Sequence, residues 1–126
     1  MKKQVEEWLE RAAHDLQAAE LLLDREAYGD VVLFHIHQAV EKYLKGFLVH
    51  HGWELRRIHD LETLVTEAMD IEDGLKEYLD LGRRLTGYYY AERYPPGPVP
   101  AYSHEEVRQA LEAAKGLIKD LKLSVR

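Results

Sequence analysis

Residues 34–52, FHIHQAVEKYLKGFLVHHG, place four histidines and the series Gln38, Glu41, Lys42 and Lys45 inside an otherwise apolar segment. The apolar positions Val32, Ile36, Ala39, Val40, Tyr43, Leu44 and Phe47 recur at three- and four-residue steps, the period that lines up one face of an α-helix. Gln38, Glu41, Lys42 and Lys45 stand at i, i+3, i+4 and i+7, so they form a second, polar stripe on the same helix. Periodicity alone reads that stripe as a solvated face with Glu41 and Lys45 as an i,i+4 pair. Phe34 and Val49 fall on the same side, which suggests that another element or a partner covers part of it. Leu44 is expected in the core. Lys42 and Lys45 are expected at the surface, where removing both would leave stability largely intact.

Working outward, Val5, Trp8, Leu9, Ala12, Leu16, Ala19 and Leu23 give a first helix, which Tyr28-Gly29-Asp30 interrupts. Asp30 is a candidate cap for the second helix, and Gly52 a left-handed stop at its end. Leu61, Leu64, Val65 and Ala68 make a short third helix after Asp60. Leu75, Tyr78, Leu79, Gly82 and Tyr89 outline a fourth. All four prolines fall in residues 93–103, where a chain lacking those backbone donors must form a loop. Ser103 and Glu106 match a capping box for a last helix carrying Val107, Ala110, Leu111, Ala114, Leu117 and Leu121. No alternating strand pattern or repeat is found. The expectation is an all-α, antiparallel up-and-down bundle of about five helices, with residues 1–126 as a single domain of one core.

Composition narrows the function. With no cysteine, neither a disulfide framework nor a thiolate metal site is available, and nothing points to secretion. The first residues lack the apolar run of a signal peptide and no stretch is long enough to span a membrane, so the cytoplasm is the default. A net charge of −6 argues against broad electrostatic capture of nucleic acid. The charge is uneven, however: residues 1–30 hold four basic and eight acidic side chains, whereas Lys42, Lys45, Arg56 and Arg57 face only Glu41 and Glu54 in residues 31–59. A local phosphate site is compatible with that segment. Chelation of a metal from the histidine pairs is not expected, because on a helix His35 and His37 point about 200° apart and His50 and His51 about 100° apart. His50 and His51 suit the carbonyl end of the helix dipole.

The segments AAHDLQAAELLL (12–23), FHIHQAVEKYLKGFL (34–48), RIHDLETLV (57–65) and AERYP (91–95) resemble the HEPN family, the higher eukaryotes and prokaryotes nucleotide-binding domain. The likeness spans nearly the whole chain, and the Gln-Ala-Val-Glu-Lys-x-x-Lys core followed by His-Asp-Leu is its most specific part. The matching positions are Asp15, Gln38, Glu41, Lys42, Lys45, His59, Asp60, Arg93 and Tyr94. The resemblance implies a HEPN-like helical bundle that homodimerises, is often paired with a minimal nucleotidyltransferase, as in toxin-antitoxin pairs, and holds a nucleotide or RNA in a cleft. It marks Gln38, Glu41, Lys42, Lys45, Arg93 and Tyr94 as candidate ligand-binding residues, with Lys42, Lys45 and Arg93 toward phosphate.

Ribonuclease members carry an Arg, four to six intervening residues and a His, and no Arg-His pair here has that interval. Arg56 and Arg57 precede His59 too closely, and Arg93 precedes His104 by too much unless the proline-rich loop folds back. The resemblance therefore favours a non-catalytic binding module without cofactor or metal. An enzyme, if it is one, would be a metal-independent ribonuclease with His59 or His104 as general base and Arg93 stabilising charge. The bland role of His59 is to fasten the entry of the third helix. A dimeric scaffold without a small ligand is the remaining alternative. Tyr88, Tyr89, Tyr90 and Tyr94 could present a ring for base stacking, although successive helical residues diverge and one of the first three should face the core.

Overall fold

The computed structural model describes residues 2–93, 98 and 101–125, with the side chains of Glu92 and Arg93 outside that description. It is an all-α bundle: α1 (Lys3–Asp24), α2 (Gly29–His50), α3 (Leu61–Met69), a 3-10 helix (Asp73–Tyr78), α4 (Leu79–Arg93) and α5 (His104–Ser124). Among the described residues there is no strand, and no helix is long and apolar enough to cross a membrane.

Helix α2 is the axis of the bundle and packs against α1, α3, α4 and α5 alike. Helix α1 runs antiparallel to it, with Trp8 beside Lys45 and Asp15 beside Lys42. Helix α5 runs antiparallel to both α1 and α4, since Lys115 meets Glu20, Asp120 meets Tyr78 and Glu106 meets Tyr88. The core draws on every helix and includes Ile36, Leu44, Phe47, Leu64, Leu85, Leu117 and Leu121, all at most 1% exposed. Each such side chain contributes about 1.5–3 kcal/mol when withdrawn from water. Leu44 is fully buried, as its place on the apolar face requires.

The central position of α2 corrects the reading of its polar stripe. Fourteen of its 22 residues are buried, Glu41 and Lys45 among them. Other elements cover the Glu41 and Lys45 part of the stripe, whereas Gln38 and Lys42 remain partly exposed.

Local signals held in most places. Asp60 caps α3, accepting from the Glu62 amide at 3.1 Å, and Gly52, at φ +94°, follows the end of α2 in the left-handed region. The Ser103 hydroxyl accepts from the Glu106 amide at 3.1 Å, but the Glu106 carboxylate takes the Tyr88 hydroxyl at 2.9 Å. Asp30 does not cap α2. The helix already begins at Gly29, with Tyr28 at the cap, which leaves Asp30 in the first turn, where its charge still suits the dipole. The predicted fourth helix is divided, because residues 73–78 wind as a 3-10 turn before α4 begins.

Two contacts fix the approach to α3. The Leu61 amide donates to the Thr86 hydroxyl at 2.9 Å. Gly82 lies so close to the Leu61 and Glu62 backbone that a Cβ there would sit 3.1 Å from the Leu61 carbonyl carbon.

Candidate functional site

The polar stripe of α2 divides into two adjacent ionic clusters, one along each edge of the stripe. Toward α1, Lys42 Nζ lies 2.5 Å from Asp15 Oδ2 and His35 Nδ1 lies 3.1 Å from Asp15 Oδ1. These side chains are partly wet, at 26% exposure for Lys42, 29% for His35 and 16% for Asp15.

Toward α3, Lys45 Nζ donates to Glu41 Oε2 at 3.0 Å, and both side chains are nearly dry, at 5% and 6% exposure. The Lys45 ammonium also lies 5.7 Å from the centre of the Trp8 ring of α1, an attractive cation–π placement. His59 Nδ1 sits 3.1 and 3.2 Å from the two Glu41 oxygens. One carboxylate thus ties the middle of α2 to the residue just ahead of α3.

His37 completes this cluster from beneath. Its Nε2 donates to the His59 carbonyl at 3.1 Å, and a neutral ring that donates from Nε2 must carry a bare Nδ1. That Nδ1 is buried with no hydrogen-bond partner among the described residues, with Glu41 Oε1 at 3.8 Å. Burial lowers the pKa of His37 from 6.5 to about 4, overriding the opposing pull of Glu41. The ring is therefore uncharged near neutral pH, and the Tyr89 ring stacks on it at 4.3 Å between centroids.

Gln38 lies between the two clusters, half-buried. Of the other sequence-predicted residues, Tyr94 lies outside the described residues and Arg93 is placed only as the last residue of α4. His59 fastens the entry to α3 through both its ring and its carbonyl, while the ring remains 54% exposed. His104 has different neighbours, lining a cavity of about 370 Å³ with Glu20, Leu23, Asp24 and Arg108. The described residues thus do not bring His59 and His104 into one site.

The three consecutive tyrosines divide as helix geometry demands: Tyr89 is buried, Tyr88 half-buried and Tyr90 45% exposed. Among the described residues no three His, Asp or Glu side chains are arranged to hold a metal ion.

Sequence reasoning overlooked His35, His37 and Trp8 as members of the site. The signal was present in the first two: rings about 200° apart on one helix must address different neighbours, here α1 and the α3 entry. No sequence spacing announces Trp8, which reaches Lys45 only through tertiary packing.

Comparison with known proteins agrees with this fold and its elements. TT1696 from Thermus thermophilus superposes with a TM-score of 0.82 at 26% identity, over 98% of this chain and 99% of that one. The archaeal HEPN homologue ST0689 superposes with a TM-score of 0.78 at 24% identity, over the full length of both chains. No curated protein matches the chain. The HEPN domain model matches residues 5–124, and the chain belongs to the HEPN domain family.

Proposed function

We propose that this protein is a non-catalytic HEPN binding module that, as a homodimer, holds a nucleotide or the nucleotide-bearing face of a nucleotidyltransferase partner along the α2 stripe. The observation that carries this reading is that Gln38 and Lys42 stay partly exposed on the α2 stripe while Glu41 and Lys45 beside them are buried. A partly exposed amide and ammonium on one helix face can meet the polar groups of a ligand from the solvent side. Lys42 provides a positive charge for phosphate, and Gln38 an orienting donor and acceptor. Glu41 and Lys45, already bound to each other, hold the geometry from below. Tyr90 and the His59 ring offer surfaces for base stacking, and Arg93 and Tyr94 remain candidates at the end of α4.

Titration calorimetry with ATP and other nucleotides tests this directly. Binding should be measurable, and Gln38→Leu should weaken it about tenfold, roughly 1.4 kcal/mol, without loss of helicity. Nucleotide affinity that is unchanged by Gln38→Leu would remove the stripe from the site.

A second reading, metal-independent ribonuclease, is favoured by one specific observation. His59 has its Nδ1 held by a buried carboxylate and its ring half in solvent, the arrangement of an oriented general base. Labelled RNA incubated with the protein separates the two readings. Cleavage that His59→Ala abolishes supports the enzyme, and intact RNA at long incubation supports the binding module.

A further inference from the structure

On the side of the bundle away from the α2 stripe, α1 and α5 leave between them a groove of about 300 Å³, lined by Leu16, Lys115, Ile118, Lys119, Lys122 and Leu123. Tyr43, about half a helical turn from Lys45 around α2, marks this side, and the Lys122 ammonium lies 6.0 Å from the centre of its ring. The floor is aliphatic, and Leu123 is 52% exposed although leucine is ordinarily buried. Lys115, Lys119 and Lys122 stand at i, i+4 and i+7, so they form one positive edge along two turns of α5.

That edge is under-compensated. Lys115 meets Glu20 at 3.4 Å, whereas Lys119 and Lys122 make no ion pair among the described residues. Arg56, Arg83, Arg84 and Arg108 each have a carboxylate partner, and although Lys2, Lys3, Arg11, Arg25 and Arg57 also make no ion pair among the described residues, Lys119 and Lys122 are set apart by lining an aliphatic groove together. On a protein of net charge −6, a local run of unpaired cations beside exposed leucine is a feature that intramolecular pairing does not explain.

We propose that this groove docks an acidic amphipathic helix of a partner protein, with aliphatic side chains on the Leu16, Ile118 and Leu123 floor and carboxylates along the lysine edge. A trough between two helices accepts a third by ridge-and-groove packing, and its apolar floor reads the i, i+3, i+4 anchors of such a segment. Charge complementarity selects the acidic partner and speeds encounter. The floor argues against RNA, whose phosphates gain nothing from leucine. An anionic bilayer or an acidic face of a second copy would also meet the lysine edge, and vesicle and sedimentation measurements separate them from the acidic helix. The surface is separate from the α2 stripe, so this proposal stands or falls independently of nucleotide binding.

The probe is a fluorescein-labelled helical peptide with leucines on one face and glutamates along both edges, titrated with the full chain and read by anisotropy. The wild-type protein should bind it, and should ignore the same peptide with lysines in place of the glutamates. Binding should weaken by about tenfold or more in Lys119→Glu/Lys122→Glu and in Leu123→Asp, and should fall further as salt is raised. Lys119→Gln, which removes the charge and adds no repulsion, should give an intermediate loss and guards against a variant that misfolds.

Absence of glutamate-peptide binding to the wild type would overturn the proposal, as would equal binding by the variants. So would tighter binding to phosphatidylserine vesicles or to polyuridine RNA, or self-association by sedimentation that Lys119→Gln abolishes.

Discussion

The two edges of the α2 stripe carry ionic clusters of similar composition and different consequence. Toward α1, Asp15, His35 and Lys42 keep roughly a sixth to nearly a third of their side-chain surface in water. Toward α3, Glu41 and Lys45 keep about a twentieth. Solvent can replace a partner lost from the first cluster. In the second, a lost partner leaves a charge stranded in a poorly solvated interior. Spacing along the helix does not distinguish these cases, and the elements packed against each side do.

The largest expected effect comes from breaking the buried pair. Lys45→Ala should destabilise the fold by about 3–5 kcal/mol in urea unfolding, because Glu41 loses its main counter-charge. The same measurement on the isosteric apolar pair Glu41→Leu with Lys45→Met should recover most of that loss. If Lys45→Ala unfolds like the wild type, the buried cluster has the energetics of a surface one.

Acid should sharpen the contrast next. His37 has a folded pKa of about 4 against 6.5 for the free group. Between those values the unfolded chain binds more protons, so the stability from a neutral His37 is complete above about pH 6.5 and is lost as pH falls toward 4. The full shift corresponds to about 3 kcal/mol. Urea midpoints at pH 7, 5 and 4 should show a steeper acid loss in the wild type than in His37→Phe, which keeps the stack on Tyr89. Parallel pH profiles would contradict this assignment.

The smallest effect should come from the wet side. Lys42→Ala should change stability by no more than about 1 kcal/mol, since the pair it breaks is solvent-screened. A loss equal to that of Lys45→Ala would erase the distinction between the clusters. The same variant should nevertheless weaken nucleotide binding if the stripe is the site, a result that calorimetry reads separately from stability.

Most of the fold was legible because periodicity reports apolar faces directly. Val5 to Leu23, Val32 to Phe47 and Val107 to Leu121 mark the three long helices within one or two turns of their observed limits. Asp60 and Ser103 announced their helix starts by chemistry. Asp30 misled because a good capping residue stands one position inside a helix that starts without a side-chain cap. The expected exposure of Lys45 fails for a related reason, and with it the ground for expecting that removing both Lys42 and Lys45 leaves stability intact. Polarity predicts exposure only when nothing else competes for the residue, and Trp8 and His59, distant in sequence, enclose Lys45 and Glu41. The resemblance identified the stripe residues as a set, but their division between a wet and a dry cluster arises only from tertiary packing.

The missing side chain at position 82 has a mechanical consequence. With α4 lying flush on the first peptides of α3, and Thr86 bonded to Leu61, the two helices are geared together a few residues from His59. A shift of α4 against α3 therefore acts on the peptides next to His59, the residue whose ring is held by Glu41. Gly82→Ala would press a methyl group against the Leu61 and Glu62 backbone at that junction.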